Sequence, residues 1–122
     1  MADRDDEMMH ALVHGISLVY SLLVEACRAL PVPVNMPADP WVSVAEVRPA
    51  VKRLAALAAD QPMGEDQEWQ LRSGCIHLLA AIDLYALCET RYEETRADGV
   101  GANLATAEID LKDLLIWLYA NK

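Results

Sequence analysis

Four prolines within residues 31–40 constrain the fold of this 122-residue chain more than any other feature. Proline lacks a backbone N–H and fixes φ, so such a run cannot continue a helix and favours extended backbone. At about 3.1 Å per residue the run reaches roughly 30 Å, most of the length of the helix predicted before it. The sequence therefore predicts a long first connection, which allows helices 1 and 2 to run parallel rather than as a hairpin.

The first predicted helix carries its polar residues at steps of three and four, in one stripe about 100° wide. Nearly everything else from Met8 onward is apolar. A helix with so narrow a polar stripe has to be contacted on most of its circumference. We therefore expect helix 1 to be the central helix, the interface of a homodimer, or both. The polar positions are Asp3, Asp6, Glu7, His10, His14, Ser17, Ser21, Glu25 and Arg28.

Three further helices follow, and no strand pattern is present. Ser43 and Glu46 form a capping box that predicts a helix start at Val44. Two short connections later in the chain favour antiparallel neighbours. The prediction is an all-α, four-helix bundle-like single domain over residues 1–122. Its helices cover about 3–30, 44–60, 65–97 and 103–120, with the Pro-rich loop at 31–42 and a glycine-containing break at 98–101.

Charge and cysteine usage exclude several classes of function. The chain has 19 acidic and 10 basic residues, a net charge of -9 that repels nucleic acid phosphates. The N-terminus is acidic, unlike a secretory signal, and the longest uncharged stretch, residues 8–24, is too short for a membrane span. Three cysteines without a Cys-X-X-Cys pair suit a reducing compartment. We expect a cytoplasmic protein with no direct nucleic acid or membrane contact and no cofactor.

The acid excess, together with the lack of a recognisable catalytic set, favours a non-enzymatic interaction protein. An inhibitor or adaptor of this kind binds a basic region of another protein, as small acidic phage-encoded inhibitors of nucleic-acid-binding host defence complexes do. The alternative is that the acids only solvate helix ends and outer faces. Trp41, after the proline run, is a candidate aromatic anchor. The acidic candidates are Asp3, Asp5, Asp6, Glu7, Glu65, Asp66, Glu68, Glu89, Glu93 and Glu94.

Asp83 is a carboxylate on an apolar helix side, which it shares with Trp69, Ile76, Leu79 and Leu87. A buried acid is costly without a hydrogen-bonding or charged partner. We therefore expect a buried Asp83 with a partner from another helix, such as an arginine, a histidine, a tyrosine hydroxyl or a tryptophan N–H. The contact either specifies the fold or binds a ligand.

Glu7, His10 and His14 share one face of helix 1, and Glu7 with His10 has the Glu-X-X-His spacing of carboxylate-bridged metal bundles. Such a site needs a second Glu-X-X-His element, and His77 has no acid three residues before it. The same histidines lie in the polar stripe, which predicts solvent exposure. A metal- or small-ligand-binding bundle is therefore an alternative only.

Residues 72–77, Arg-Ser-Gly-Cys-Ile-His, resemble the Arg-X4-His motif of HEPN-family ribonucleases, which are small helical proteins that usually act as dimers. The resemblance covers six residues and implies that His77 is catalytic and Arg72 contacts phosphate during 2′-OH attack on RNA. A spacing of five on an unbroken helix separates the two side chains by about 140°. Their convergence then requires a second subunit, and the acidic surface opposes an RNA substrate. A dimeric ribonuclease is the second alternative.

Overall fold

The structure, a computed structural model, describes residues 2–37 and 43–121, with side chains from residue 4 onward. Four α-helices occupy most of these residues, and no strand occurs in them. This confirms the predicted all-α, four-helix class. The helices are α1 (Ala2–Arg28), α2 (Val44–Leu57), α3 (Glu65–Thr90) and α4 (Glu94–Ala120), with a 3₁₀ helix at Ala58–Asp60.

The predicted starts of α2 and α3 are confirmed. Ser43 has extended backbone and its hydroxyl accepts a hydrogen bond from the Glu46 backbone N–H at 3.3 Å, which caps α2. At α3, Gly64 precedes the first turn, where Glu65 and Asp66 lie next to the positive end of the helix dipole. Local sequence signals are sufficient at both positions.

The predicted boundary between helices 3 and 4 is wrong. α3 ends at Thr90 rather than near residue 97, and α4 begins at Glu94 rather than at 103, so residues 98–101 lie inside a helix. Glycine lowers helix stability by only about 1 kcal/mol per residue, which tertiary packing can offset. Packing does so at Gly99, where a Cβ atom would lie 2.9 Å from the Leu84 side chain. The glycine therefore permits close helix packing instead of ending a helix.

The actual end of α3 is stabilised by a side chain from α4. Arg91 has extended backbone, with φ −151° and ψ 111°. The Arg96 guanidinium donates hydrogen bonds to the carbonyl oxygens of Arg91 at 2.8 Å and Leu87 at 3.4 Å. The Leu87 carbonyl also accepts from the Arg91 backbone N–H, so the Arg96 contact adds a second donor there and supplies a partner for the Arg91 carbonyl at the turn.

Contacts between helices establish their directions. Leu84 lies against Gly99 and Gly74 against Leu111, so α3 and α4 are antiparallel. Gly15 lies against Leu104, and the Tyr119 hydroxyl donates to the Glu25 carboxylate, so α1 runs parallel to α4. α2 runs opposite to α3 and packs on it through Val47, Val51 and Leu54. Within the described ranges α2 contacts neither α1 nor α4. α1 and α2 therefore point in the same direction.

The segment after α1 folds back along that helix. The Val32 N–H donates to the Leu30 carbonyl at 2.9 Å, which forms a tight turn directly after the helix. Further on, the Tyr20 hydroxyl donates to the carbonyl of Pro37. The side chains of Val32 and Met36 pack against the core. Residues 38–42, which include Trp41, lie outside the described residues.

α1 is covered on one side only. Its core side chains, which include Leu12, Ile16 and Leu23, face α3 and α4, whereas the described side chains of the predicted polar stripe are exposed, apart from the half-buried Glu25. Leu18 is 56% exposed. The expectation that neighbours contact most of the circumference is therefore not met within one chain, because α2 packs on α3 rather than on α1.

Two helices, residues 4–28 and α3, are long and apolar enough to span a membrane by length and composition, each with a hydropathy of 1.4. The core helices of soluble proteins meet the same criterion. Hydropathy therefore does not decide between the two environments, and the absence of membrane contact stays a prediction.

Candidate functional site

The helix directions bring six of the predicted partner-binding acids to one end of the bundle. α1 and α4 begin at this end and α3 finishes there. Partial burial and then the charges of Asp5 and Glu94 raise the pKa of the Tyr92 phenol, which lies in the connection between α3 and α4. We call this region the acidic end. It consists of Asp5, Asp6, Glu7, Glu89, Glu93 and Glu94.

Three arginines, Arg4, Arg91 and Arg96, lie near the acidic end and only partly neutralise its six acids. The Glu93 carboxylate lies 3.5 Å from Arg96 Nε and 3.8 Å from Arg91 Nε. It therefore belongs to the group of contacts that stabilises the turn between α3 and α4. Glu7 and Glu94 are exposed, and neither takes part in an ion pair within the described part of the chain. Unpaired exposed carboxylates keep their charge available to a partner.

The other predicted contacts do not join this surface. Glu65, Asp66 and Glu68 lie in the first turn of α3, at the opposite end of the bundle. Trp41 and the side chain of Asp3 lie outside the described residues. The ten acids therefore form at least two separate groups rather than one continuous surface.

Asp83 is exposed, so the prediction that it is buried is wrong. It has the kind of partner that we expected, because Arg48 of α2 donates two hydrogen bonds to its carboxylate at 2.7 and 3.1 Å. The hydrogen bond from Arg48 lowers the pKa of Asp83. The error has a simple cause: the side of α3 that Asp83 shares with Trp69 and Ile76 is the outer side. Periodicity identifies residues on one side of a helix but not the side that is covered.

Ser73, His77 and Asp110 form a polar cluster between α3 and α4 that the sequence analysis missed. The buried Ser73 hydroxyl donates to the Asp110 carboxylate at 2.6 Å. His77 Nδ1 lies 2.8 Å from the Ser73 carbonyl oxygen and therefore carries the proton. A serine nucleophile needs a histidine that accepts its proton, and a protonated Nδ1 cannot do so. The cluster therefore connects two helices and is not a catalytic triad.

Neither alternative site from the sequence is assembled in the structure. Arg72 is exposed and forms no hydrogen bond or ion pair in the described ranges, whereas His77 is held within its own helix. Glu7, His10 and His14 are all exposed on α1. No group of three or more histidine, cysteine or acidic side chains in the described part is arranged to hold a metal ion.

The cysteines are suited to packing. Cys75 and Cys88 are buried, and all three cysteines are free thiols. Burial raises the pKa of the Cys27 thiol to about 11 and also raises the pKa of Cys75. Thiolate is the reactive form of cysteine, so these two side chains are poor nucleophiles at neutral pH.

An open cleft of about 490 Å³ lies between the C-terminal ends of α1 and α4. It is lined by Ser21, Glu25, Arg28, Ala29 and Tyr119. The Tyr119 hydroxyl donates to Glu25 across it, and the Ser21 hydroxyl donates to the Ser17 carbonyl, which leaves the exposed Arg28 guanidinium as the remaining polar group of these lining side chains. A single exposed guanidinium in an open cleft supplies few convergent polar contacts to orient a small molecule.

The largest exposed apolar side chains lie on α3 and α4. Trp69 is 61% exposed, and Ile109 and Ile116 of α4 are 63% and 68% exposed.

Comparison with protein-family models, curated proteins and solved structures found no match to this chain. Its function is therefore inferred from the acidic end and the other surfaces described above.

Proposed function

We propose that this protein is a non-enzymatic interaction protein that binds a basic region of another protein through its acidic end. The observation that carries the proposal is the convergence of six acids from three helix termini on one end of the bundle. An inhibitor or adaptor role follows from such a surface, because occupying a basic groove excludes its usual polyanionic ligand.

The physical basis is electrostatic complementarity. A cluster of like charges produces a potential that accelerates association with an oppositely charged surface and discriminates against other acidic proteins. Salt screens interactions between exposed charges, with a Debye length of about 10 Å at 0.1 M. Binding through the acidic end should therefore weaken strongly as salt concentration rises.

The test uses two triple variants that remove the same number of charges. Asp6→Asn, Glu7→Gln and Glu94→Gln neutralise the acidic end, whereas Glu65→Gln, Asp66→Asn and Glu68→Gln neutralise the start of α3. Glu94 and the three α3 acids lie in the first turn of their helices and Asp6 and Glu7 in the second turn of α1, so thermal melting checks that the two variants are equally stable.

Immobilised wild-type protein and both variants are exposed to native-host lysate at rising salt, and the captured proteins are quantified. The acidic-end variant should capture at least tenfold less of a basic protein than the wild type does. The α3-start variant should capture as much of it as the wild type. Equal capture by all three proteins, or capture that does not change between low and high salt, would show the proposal to be wrong.

The predicted homodimer through helix 1 is a competing proposal to the dimer interface proposed in the next subsection. Its support is Leu18, an exposed apolar side chain at the edge of the polar stripe of α1. This apolar edge is narrower than the apolar surfaces on α3 and α4, because most other apolar side chains of α1 pack against the core.

A further inference from the structure

The outer side of α3 is an apolar surface that the fold leaves uncovered. Trp69, Ile76 and Leu87 are 61%, 44% and 48% exposed, and they are spaced so that they share one side of the helix. Arg72 and Asp83 lie on the same side. We call these five residues the α3 strip. An exposed surface of this kind, with polar residues at its edges, is typical of a contact between proteins.

Neighbouring helices border the α3 strip on both edges. Arg48 of α2 binds Asp83 on one edge, and Asp110 of α4 binds Ser73 on the other. α2 and α4 do not contact each other in the described part of the chain. The strip is therefore the middle of a three-helix face rather than an isolated ridge.

This face differs from the rest of the molecule in charge. Residues 69–88 of α3 contain one base, Arg72, and one acid, Asp83, and α2 adds the Arg48 guanidinium. The exposed isoleucines of α4 instead alternate with Glu108, Asp110 and Asp113. Two copies of a chain with a net charge of -9 repel each other least where their acids are fewest.

The strip is also complementary to a second copy of itself that runs in the opposite direction. Trp69 and Leu87 lie nine residues before and after Leu78, and Arg72 and Asp83 lie six before and five after it. In an antiparallel pair whose two-fold axis crosses the outer side of α3 at the level of Leu78, each tryptophan packs on a leucine of the other copy. The same pairing places each Arg72 beside Asp83 of the other copy, whose carboxylate then lies between two guanidinium groups, Arg72 and Arg48 of its own chain.

We propose that a second copy of this chain packs antiparallel across the α3 strip to form a two-fold symmetric homodimer. Trp69 to Leu87 spans about 27 Å, and α3 together with the α2 edge, two helices at 8–10 Å spacing, measures roughly 19 Å across. The product, roughly 500 Å² per partner, lies at the lower end of the range for specific protein contacts. The interface is independent of the acidic end, so it leaves that surface open.

The test compares two double variants with the same spacing and charge change. Trp69→Glu with Ile76→Glu disrupts the α3 strip, and Ile109→Glu with Ile116→Glu modifies α4 at positions that are also seven residues apart and at least as exposed. Leu18→Glu tests α1. Sedimentation equilibrium from micromolar to millimolar protein should give twice the 13.5 kDa chain mass for wild type, the α4 variant and the α1 variant, but the chain mass for the strip variant.

A second variant pair tests the antiparallel arrangement without altering apolar packing. Arg72→Glu places an acid beside Asp83 of the other copy and should weaken dimerisation at least tenfold, whereas Arg72→Lys should retain it. Arg72 has no hydrogen bond in the described part of the chain, so neither change should affect folding, which circular dichroism checks. A monomeric wild type, a dimer lost through the α4 or α1 variant instead, or equal dimerisation of both Arg72 variants would overturn the proposal.

Discussion

α1 and α3 have the same mean hydropathy, but the fold covers them differently. The most apolar stretch of each helix has a mean hydropathy of 1.4, yet 28% of that stretch is buried in α1 and 44% in α3. The outer surface of α1 is a polar stripe interrupted at its edge by Leu18, whereas the outer surface of α3 is apolar at Trp69, Ile76 and Leu87. Mean hydropathy therefore does not distinguish a helix whose uncovered side is polar from a helix whose uncovered side is apolar. The residues on the uncovered side make that distinction.

The largest effects should come from the covered sides of both helices. Leu23→Ala in α1 and Leu78→Ala in α3 remove fully buried side chains and should each lower the free energy of unfolding by about 2–5 kcal/mol. Leu18→Ala and Ile76→Ala on the outer sides should each cost less than about 1 kcal/mol. Urea unfolding at dilute protein concentration measures all four. A cost for Ile76→Ala equal to that for Leu78→Ala would mean that the α3 strip is covered within a single chain.

The glycines separate close helix contact from open surface. A Cβ atom at Gly74 would lie 2.7 Å from the fully buried Leu111 side chain, so Gly74→Ala should lower the free energy of unfolding by about 1–3 kcal/mol. At Gly101 a Cβ atom would meet nothing within 4 Å, so Gly101→Ala should raise stability by up to about 1 kcal/mol. Thermal melting of both variants checks the opposite signs. A stabilising Gly74→Ala would contradict tight packing between α3 and α4.

Serines on the two helices should respond differently. Ser73→Ala in α3 removes a buried hydroxyl that donates to Asp110, and it should cost about 1–2 kcal/mol. Ser17→Ala on the exposed stripe of α1 should change stability by less than about 0.5 kcal/mol, because alanine is the better helix former. Chemical denaturation of both variants provides the measurement. Equal values would indicate that the polar cluster contributes nothing to the pairing of α3 with α4.

The smallest effect is the pH dependence at Asp83. Arg48 lowers its pKa in the folded protein from an ordinary value of 3.8, so the unfolded chain binds this proton more readily. The pair therefore stabilises the fold at pH values above 3.8, and this contribution disappears as the pH falls through the lower folded pKa. Asp83→Asn should narrow the difference in melting temperature between neutral and acidic solution slightly. A variant with the wild-type acid profile would show that the contact is not maintained in solution.

Much of the fold could be predicted from the sequence because the signals are local. The capping box at Ser43 and the acids after Gly64 define two helix starts correctly. The end of α3 could not be predicted, because it depends on Arg96 reaching back from the next helix and on Gly99 packing against Leu84. Both are tertiary contacts that no window of sequence contains.

The candidate surfaces were less predictable than the helices. The acids of the acidic end were identified individually, but their convergence requires α1 and α4 to run parallel, which follows from contacts such as Gly15 with Leu104. The side shared by Asp83, Trp69 and Ile76 was also identified, but its exposure depends on where α2 and α4 pack. Sequence periodicity determines which residues lie together; the order of helices around α3 determines whether they meet solvent.

The Arg96 contact has a consequence for the order of folding. The turn between α3 and α4 contains only residues 91–93, and Arg96 joins its two sides, so this hairpin closes a short loop at little entropic cost. α1 must instead find its place on α4 across most of the chain length. We expect the hairpin to form in the transition state and α1 to dock later, so φ-values should be high for Ala107→Gly and low for Leu12→Ala. The reverse pattern would mean that α1 organises the nucleus.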